Sequence, residues 1–196
     1  MGTLLWAERQ KIRRSNIVLV AVFAALLGSY MICREKQDGT MKSLRLIPVN
    51  EAKLTAAKMI ITFAVCELLY LLFFVIAFGA EAVLHVSDLS AGIFLKSLRE
   101  YFLDGTGVFF AVSPVIALVS RRKKGYWLAL VFTEMYSFAG LLAGMSGALR
   151  TFYPILAVFN LSGYYQGNRT VSVEILLTCG LSAVVLMTGS GLSKKD

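Results

Sequence analysis

Apolar residues are gathered along the chain in long continuous runs, and the polar positions are collected into blocks between them. A helix needs roughly 20 apolar residues to cross the hydrocarbon core of a bilayer, which is about 30 Å thick. Four runs have about this length, at 59–80, 101–119, 126–145 and 173–192. This pattern predicts an all-α chain, a polytopic bundle of membrane helices.

A fifth apolar run, 17–32, is shorter than the others. Its 16 residues give a helix of about 24 Å at 1.5 Å per residue, which is less than the thickness of the hydrocarbon core. A basic stretch precedes the run, as in a secretory signal, but no A-x-A-like cleavage site follows it. Arg34 and Lys36 come directly after the run. We therefore expect this segment to be retained, which gives about five apolar spans in all.

The overall composition agrees with a membrane protein. Hydrophobic residues occupy 57% of the 196 positions and charged residues 16%, whereas soluble domains have about 45–50% and about 25%. The net charge of +8 comes from basic blocks beside apolar runs, where Lys and Arg set topology and contact anionic lipid. No zinc-finger spacing or aromatic-rich basic patch appears, so nucleic-acid binding is not predicted. A chain of this length is expected to form one domain.

The basic residues also predict the orientation of the chain. Most of the 20 Lys and Arg residues lie in four blocks, at 1–16, 33–58, 121–124 and 194–195. The positive-inside rule assigns such blocks to the cytoplasm. The other four basic residues are Lys96, Arg99, Arg150 and Arg169. They lie in 81–100 and 146–172, which we expect to be external loops.

The run 17–32 does not fit this alternation, because both of its flanks carry cytoplasmic signals. Three interpretations remain open. The run stops short of crossing, it replaces a pair of crossings that has been shortened, or the N-terminus lies outside against its charge.

The longest polar stretch, residues 33–59, has the features of a short surface helix joined to a membrane helix. Three of its apolar residues recur at helical spacing and form one stripe. They are Met41, Leu44 and Ile47. Pro48 ends this turn because proline disfavours helix at the preceding residue, and Asn50 can cap a new helix beginning at Glu51. Such a segment either transmits a push from a cytoplasmic partner or only anchors the protein at the membrane surface.

The same stretch resembles the cytoplasmic segment of ABC transporter permeases of the bacitracin and lantibiotic exporter kind. That segment has an acidic residue, a Gly-Thr pair, an amphipathic turn, a Pro-Val pair and a lysine opening the next membrane helix. The N-terminal "AERQKIRRSNI" is similar to the elbow helix of the same family. Such permeases usually have six membrane helices, with two before the cytoplasmic segment. The single short run here therefore suggests a shortened first helical hairpin.

The resemblance implies one transmembrane permease domain over residues 1–196. Its parts are an elbow helix (1–16), a short apolar segment (17–32), a cytoplasmic coupling segment (33–58) and four further spans (59–192). Within the coupling segment, the resemblance assigns contact with an ATP-hydrolysing partner to eight residues. These are Glu35, Gly39, Thr40, Met41, Leu44, Ile47, Pro48 and Lys58.

The function implied by the resemblance is ATP-driven export of an amphipathic peptide antibiotic or similar molecule across, or out of, the bacterial cytoplasmic membrane. The implied partners are an ATP-binding cassette subunit and a second permease chain, identical or different. ATP and Mg would be bound by the cassette subunit, because this chain lacks the G-x-x-x-x-G-K-[ST] loop that holds phosphates. No catalytic residue, cofactor or metal site is predicted in the chain itself, and we do not expect it to be an enzyme.

Two glutamates, Glu67 and Glu134, each lie in the middle of an apolar run, where a charge costs roughly 2.5 kcal/mol or more. They either line a substrate path or bind a cationic peptide, or they are protonated or hydrogen-bonded to a neighbouring Tyr, Ser or Thr at a helix interface. They also leave a proton-coupled carrier as an alternative function. A further alternative is a membrane-anchored immunity or scaffold protein that does not transport.

Two other features concern helix packing. Gly140 and Gly144 form a G-x-x-x-G pattern, which favours close contact between helices, within the chain or with a second chain. Residues 148–163 are apolar but contain Pro154. This segment is expected to form either a partial insertion from the outer side or a packed loop.

Overall fold

The computed structural model of the protein describes residues 17–32, 51–84, 91–120, 126–143, 145, 152–161 and 168–192. Within these ranges the chain forms six helices and no strand. In chain order they are α1 (Ile17–Ile32), α2 (Glu51–Leu84), α3 (Ala91–Ser120), α4 (Tyr126–Ala143), α5 (Pro154–Leu161) and α6 (Arg169–Leu192). The prediction of an all-α membrane helix bundle is confirmed.

Three of the helices are long and apolar enough to cross a membrane. Their apolar windows are Lys53–Ala80 in α2, Ala91–Val119 in α3 and Arg169–Met187 in α6. Helix α4 has 18 residues, or about 27 Å of helix, which is at the lower end of spanning lengths. Helix α1 is shorter still. Each apolar run of the sequence therefore forms one helix, with two of the five near or below the usual spanning length.

The helices extend beyond the apolar runs that predicted them. Helix α2 begins at Glu51 and α3 begins at Ala91, ahead of the runs 59–80 and 101–119. The expectation of a loop throughout 81–100 is therefore wrong, because Lys96 and Arg99 lie on the first turns of α3. A helix satisfies its own backbone hydrogen bonds, so it can continue past the hydrocarbon through polar residues, where hydropathy gives no signal.

The expected external loop 146–172 is also wrong for part of its length. Helix α6 begins at Arg169, and Pro154 opens the short helix α5 instead of breaking an apolar segment. Proline is well tolerated at the first helical position, because the backbone N–H that it lacks has no acceptor there. Six consecutive residues of α5, from Ile155 to Asn160, are buried. The described part of the segment is thus mainly a short buried helix, and a partial insertion from the outer side stays a prediction.

Helix α3 is the centre of the bundle. It packs against α2 on one side and α6 on the other, and also contacts α4 and α5. Most of its apolar window is buried inside the bundle, whereas only a minority of the windows of α2 and α6 is buried. The exposed faces carry large apolar side chains such as Ile60, Leu68 and Leu181, as expected for surfaces that meet lipid.

Helix α3 passes through Pro114 without a break. Proline has no N–H to donate to the carbonyl four residues earlier, which here belongs to Phe110. The hydroxyl of Ser113 donates a hydrogen bond to that carbonyl, at 2.8 Å. A proline in a membrane helix is expected to have its freed carbonyl satisfied by a neighbouring helix, whereas here the donor is the adjacent serine of the same helix.

Helix α1 is packed into the bundle despite its length. Ile17, Val20 and Ala21 are fully buried in the main apolar cluster. At Gly28, an added Cβ would lie 2.9 Å from the side chain of Ile116 and 3.2 Å from that of Thr62. Glycine therefore allows α1 to approach both α2 and α3 closely.

Candidate functional site at the interface of α2 and α3

Most of the predicted coupling residues lie outside the described residues. This applies to Glu35, Gly39, Thr40, Met41, Leu44, Ile47 and Pro48. Their contact with a partner stays a prediction. What the structure does describe is the helix that follows them, because α2 begins at Glu51 and continues without interruption to Leu84.

Lys58 is the one predicted coupling residue within the described ranges, and it lies inside the bundle. Its side chain is 9% exposed, and its Nζ donates a hydrogen bond to the carbonyl of Met31 at 2.8 Å. Met31 is in the last turn of α1, where carbonyls lack intrahelical partners and a cation is favourable. Lys58 therefore joins the end of α1 to α2.

One turn further along α2, the packing continues through Thr62. Its hydroxyl donates to the Lys58 carbonyl at 2.9 Å, and its methyl group faces Gly28 of α1. The first turns of α2 and the last turns of α1 are consequently held together by one hydrogen bond and a close glycine contact.

Glu67 lies near the middle of α2 and faces α3. Its side chain is 8% exposed, and the hydroxyl of Thr106 donates a hydrogen bond to its Oε1 at 2.7 Å. Oε2 is buried and accepts no hydrogen bond from any residue that the structure describes. The carboxyl fits there because the neighbouring residue on α3 is Gly105, where an added Cβ would lie 2.8 Å from Oε2.

Aromatic rings on both sides of this carboxyl show that α2 and α3 run antiparallel in a fixed register. Toward the start of α2, Phe63 packs edge-on to Phe109 with ring centroids 5.2 Å apart. Toward its end, Phe74 packs edge-on to Tyr101 at 5.6 Å. Asp104 is fully buried close to the middle of α3, so the bundle holds two acidic side chains at this depth.

Glu134 has a different environment from Glu67. It is exposed on α4, among apolar side chains that are also exposed, including Met135 and Phe138. The buried face of α4 instead carries the hydroxyls of Thr133 and Ser137. The two glutamates that the sequence suggests for one path therefore lie on different surfaces, one inside the bundle and one outside it.

Gly140 packs within the chain, and Gly144 lies outside the described residues. An added Cβ at Gly140 would lie 2.5 Å from Ile155 and 2.8 Å from Tyr153. The Tyr153 ring stacks on Tyr136 with centroids 5.0 Å apart, and its hydroxyl donates to the Tyr136 carbonyl at 2.6 Å. Gly140 thus allows the start of α5 to pack closely against α4.

Comparison with known proteins gives the family. The model of the ABC-2 family transporter protein matches residues 25–140, more than half of the chain. The chain belongs to the ABC-2 transporter family. The bacitracin transport permease protein BCRB of Bacillus licheniformis is 25% identical over 177 residues, which cover 87% of this chain and 84% of that protein. No solved structure matches the chain.

The matched range extends from the second half of α1 to Gly140 of α4, so it contains the coupling segment, Glu67 and Glu134. The resemblance to ABC permeases of the bacitracin kind is therefore confirmed. The protein is a multi-pass membrane subunit of an ABC transporter, a class that works with an ATP-binding cassette subunit.

Several site residues are absent from the sequence predictions. Neither Gly105 nor Thr106 was expected to contact Glu67, although a Gly-Thr pair in an apolar run is a signal for a close polar contact between helices. Asp104 is near the start of the apolar run 101–119 but lies close to the middle of α3, because that helix begins at Ala91. The acceptor of Lys58 is a backbone carbonyl, which no side-chain pattern reveals.

Proposed function

We propose that the chain is the membrane-spanning permease of an ATP-driven exporter in the bacterial cytoplasmic membrane, and that its cargo is an amphipathic peptide antibiotic. Family membership supports the transporter class, and the relative named for bacitracin transport supports the cargo class. ATP and Mg are bound by a separate cassette subunit, which contacts residues 33–58. A second permease chain, identical or different, completes the path.

The observation that carries this proposal is the continuity of α2. The helix runs from Glu51, within the coupling segment, through Glu67 to Leu84. The 17 residues from Glu51 to Glu67 make about 24 Å of rigid helix. A push on the coupling segment is therefore delivered to the contact between Glu67 and Thr106, and through Lys58 to the end of α1.

The exposed position of Glu134 supports a second chain. Acidic side chains within membrane segments almost always face a bundle interior or a water-filled cavity, because exposure to hydrocarbon is costly. Glu134 faces away from its own bundle, so a neighbouring permease or an aqueous path between two permeases is the environment that suits it.

The proposal is tested by producing the chain together with an ATP-binding cassette subunit and measuring co-purification, ATP hydrolysis and survival in the peptide antibiotic. Pro48→Ala is expected to lower the stimulated ATPase rate several-fold without changing the thermal unfolding of the permease. Lys58→Glu is expected to lower both the stimulated ATPase rate and the unfolding temperature, because Lys58 also donates a hydrogen bond to the Met31 carbonyl. Lys96→Gln, an exposed change near the start of α3, is the control and is expected to change neither.

The orientation is tested by thiol labelling at Ser43→Cys, in a chain whose other cysteines are replaced. Protection from an impermeant reagent in intact cells, and labelling in inverted vesicles, are expected. Labelling of intact cells would place the coupling segment outside, where no ATPase reaches it.

The two alternatives give different results in the same assays. An immunity or scaffold protein would protect cells with no cassette subunit bound and no dependence on ATP. A proton-coupled carrier would continue after ATP depletion and stop when Glu67 and Glu134 are both replaced by Gln.

A further inference from the structure

An apolar cleft of about 250 Å³ lies between α2, α3 and α6, at the end of the bundle where α2 begins. Its walls include Ala56 and Ile60 of α2, Phe110 of α3, and Ala183 and Met187 of α6. The cleft is separate from the Glu67 contact, which lies further along α2. Sequence periodicity gives no signal for it, because these residues belong to three distant runs.

The cleft exists because α2 and α6 both pack chiefly on α3 and only slightly on each other. The floor is formed by α3, where the Phe110 ring lies directly against α6. At Gly180 an added Cβ would lie 2.6 Å from that ring, so glycine is what allows this close approach. The result is a slot with nearly all-carbon walls.

A cationic residue, Lys53, lies on the same face of α2 as the cleft. Lys53, Ala56 and Ile60 are separated by three and four residues, so they lie in one row along the helix. Lys53 is about 4.5 Å nearer the start of the helix than Ala56. It is exposed, and no ion pair or hydrogen bond joins it to another residue that the structure describes.

The depth of the cleft matches the boundary between headgroups and hydrocarbon. The continuous apolar sequence of α2 begins at Met59, directly after Lys58. Ala56 is therefore at headgroup level and Ile60 is within the hydrocarbon. The distribution of Lys and Arg assigns this end of α2 to the cytoplasmic leaflet, which carries anionic lipid.

We propose that the cleft binds one acyl chain of an anionic phospholipid, whose phosphate pairs with Lys53. The apolar slot takes the chain, and the cation one turn above it takes the charge. This site is independent of what the protein exports. The bound lipid would contact both the first turns of α2 and the facing residues of α6, which pack only slightly on each other.

The test uses the purified full chain in nanodiscs containing phosphatidylglycerol with a photoreactive group in its acyl chain. Cross-links are expected on peptides that contain 55–60, 109–113 and 180–187, and not preferentially on the exposed face of α4, 131–138. Native mass spectrometry then compares retention of phosphatidylglycerol with retention of phosphatidylcholine.

Two matched pairs of variants separate the contribution of the Lys53 charge from that of the space in the cleft. Lys53→Gln is expected to lower phosphatidylglycerol retention about fivefold, the effect of one cation near a membrane surface, whereas Lys96→Gln is expected to leave it unchanged. Ala56→Phe fills the mouth of the cleft and is expected to abolish retention. Ala57→Phe, also exposed but outside the cleft, is expected to preserve it.

Four results would overturn the proposal. Equal losses in the two lysine variants would indicate general surface charge, and equal retention of the two lipids would remove the role of Lys53. Cross-links spread evenly over all exposed helices would indicate ordinary solvation. Displacement of the lipid by the peptide antibiotic, with cargo cross-linking to the same peptides, would make the cleft a cargo site.

Discussion

The two mid-helix glutamates carry the same signal in the sequence and have opposite environments in the structure. Glu67 is buried between α2 and α3, with a hydroxyl donor on one oxygen and a glycine beside the other. Glu134 is exposed on α4 among exposed apolar side chains. A charge in a membrane helix needs compensation. The first glutamate has part of its compensation within the chain, and for the second we propose that a second permease chain or an aqueous path supplies it.

This difference separates two kinds of role. The surroundings of Glu67 link the helix that leaves the coupling segment to the central helix of the bundle, so changes there should act on stability and on the response to the ATPase. Changes at Glu134 should act on assembly or transport while leaving the chain itself intact. Substitutions at and around the two glutamates test this separation.

The largest effect is expected for Glu67→Lys. A cation placed between α2 and α3 meets Gly105 and the Thr106 hydroxyl, and a buried charge without a partner costs about 3–5 kcal/mol. Thermal unfolding of the purified chain in detergent measures the loss. Glu134→Lys is the matched control, and its unfolding should stay close to that of the unchanged protein. Equal losses in both variants would mean that the two sites do not differ.

A smaller effect is expected for Gly105→Ala. The added Cβ would lie 2.8 Å from Oε2 of Glu67 and 3.0 Å from its carboxyl carbon, so the carboxyl must move away from Thr106. Overpacking of this kind costs about 1–3 kcal/mol. At Gly79, later on α2, nothing lies within 4 Å of an added Cβ. Gly79→Ala should therefore be neutral or stabilising, and a Gly105→Ala protein as stable as Gly79→Ala would contradict the close contact.

The hydrogen bond itself is tested by Thr106→Val, which removes the donor while keeping the shape. Leaving a buried acceptor unpaired costs about 1–2 kcal/mol. Thr178→Val is the control, since its hydroxyl makes an exposed bond to the carbonyl of Ile175. In a double-mutant cycle with Glu67→Met, which removes the acceptor and keeps an unbranched side chain, the two changes should be non-additive by about 0.5 kcal/mol or more, an order of magnitude typical of contacting residues. Strict additivity would show that the bond contributes nothing.

The same contrast between inner and outer positions applies to Ser113→Ala. This change removes the donor to the Phe110 carbonyl, which Pro114 leaves without a backbone partner. We expect a loss of about 1 kcal/mol, measured by thermal unfolding. Ser182 makes the same kind of bond to the Cys179 carbonyl on an exposed face, where the backbone needs no substitute donor. Ser182→Ala should accordingly change the thermal unfolding very little.

These contacts also show how far the sequence determines the structure. Run length predicts the four longer helices, because the thickness of the hydrocarbon core sets the number of apolar residues that a crossing helix needs. It does not predict where helices end, since α3 continues outward through Lys96 and Arg99 at no cost in hydrogen bonds. It likewise leaves α5 unresolved, because a proline reads equally well as a break or as a first helical residue.

The site was predictable in part. An acidic residue in an apolar run identifies Glu67 and Glu134 as positions that need explaining, and either a substrate path or a helix interface explains such a residue equally well. Which side of its helix each one faces depends on tertiary packing. Helix α2 has little amphipathic character, because apolar residues occur all round it. The burial of Glu67 therefore follows from Gly105 and Thr106 on another helix, thirty-eight and thirty-nine residues away.

The smallest effect on stability is expected for Glu134→Gln, and this variant tests the outer face most directly. Its unfolding in detergent should equal that of the unchanged chain, because the side chain is exposed. Survival of cells in the peptide antibiotic should fall, because a second permease or a wet path that meets the carboxylate would lose it. Glu174→Gln, exposed near the start of α6, is the control and should preserve survival. Unchanged survival with Glu134→Gln would mean that the carboxylate needs no external partner, and the contrast between the two glutamates would then concern packing alone.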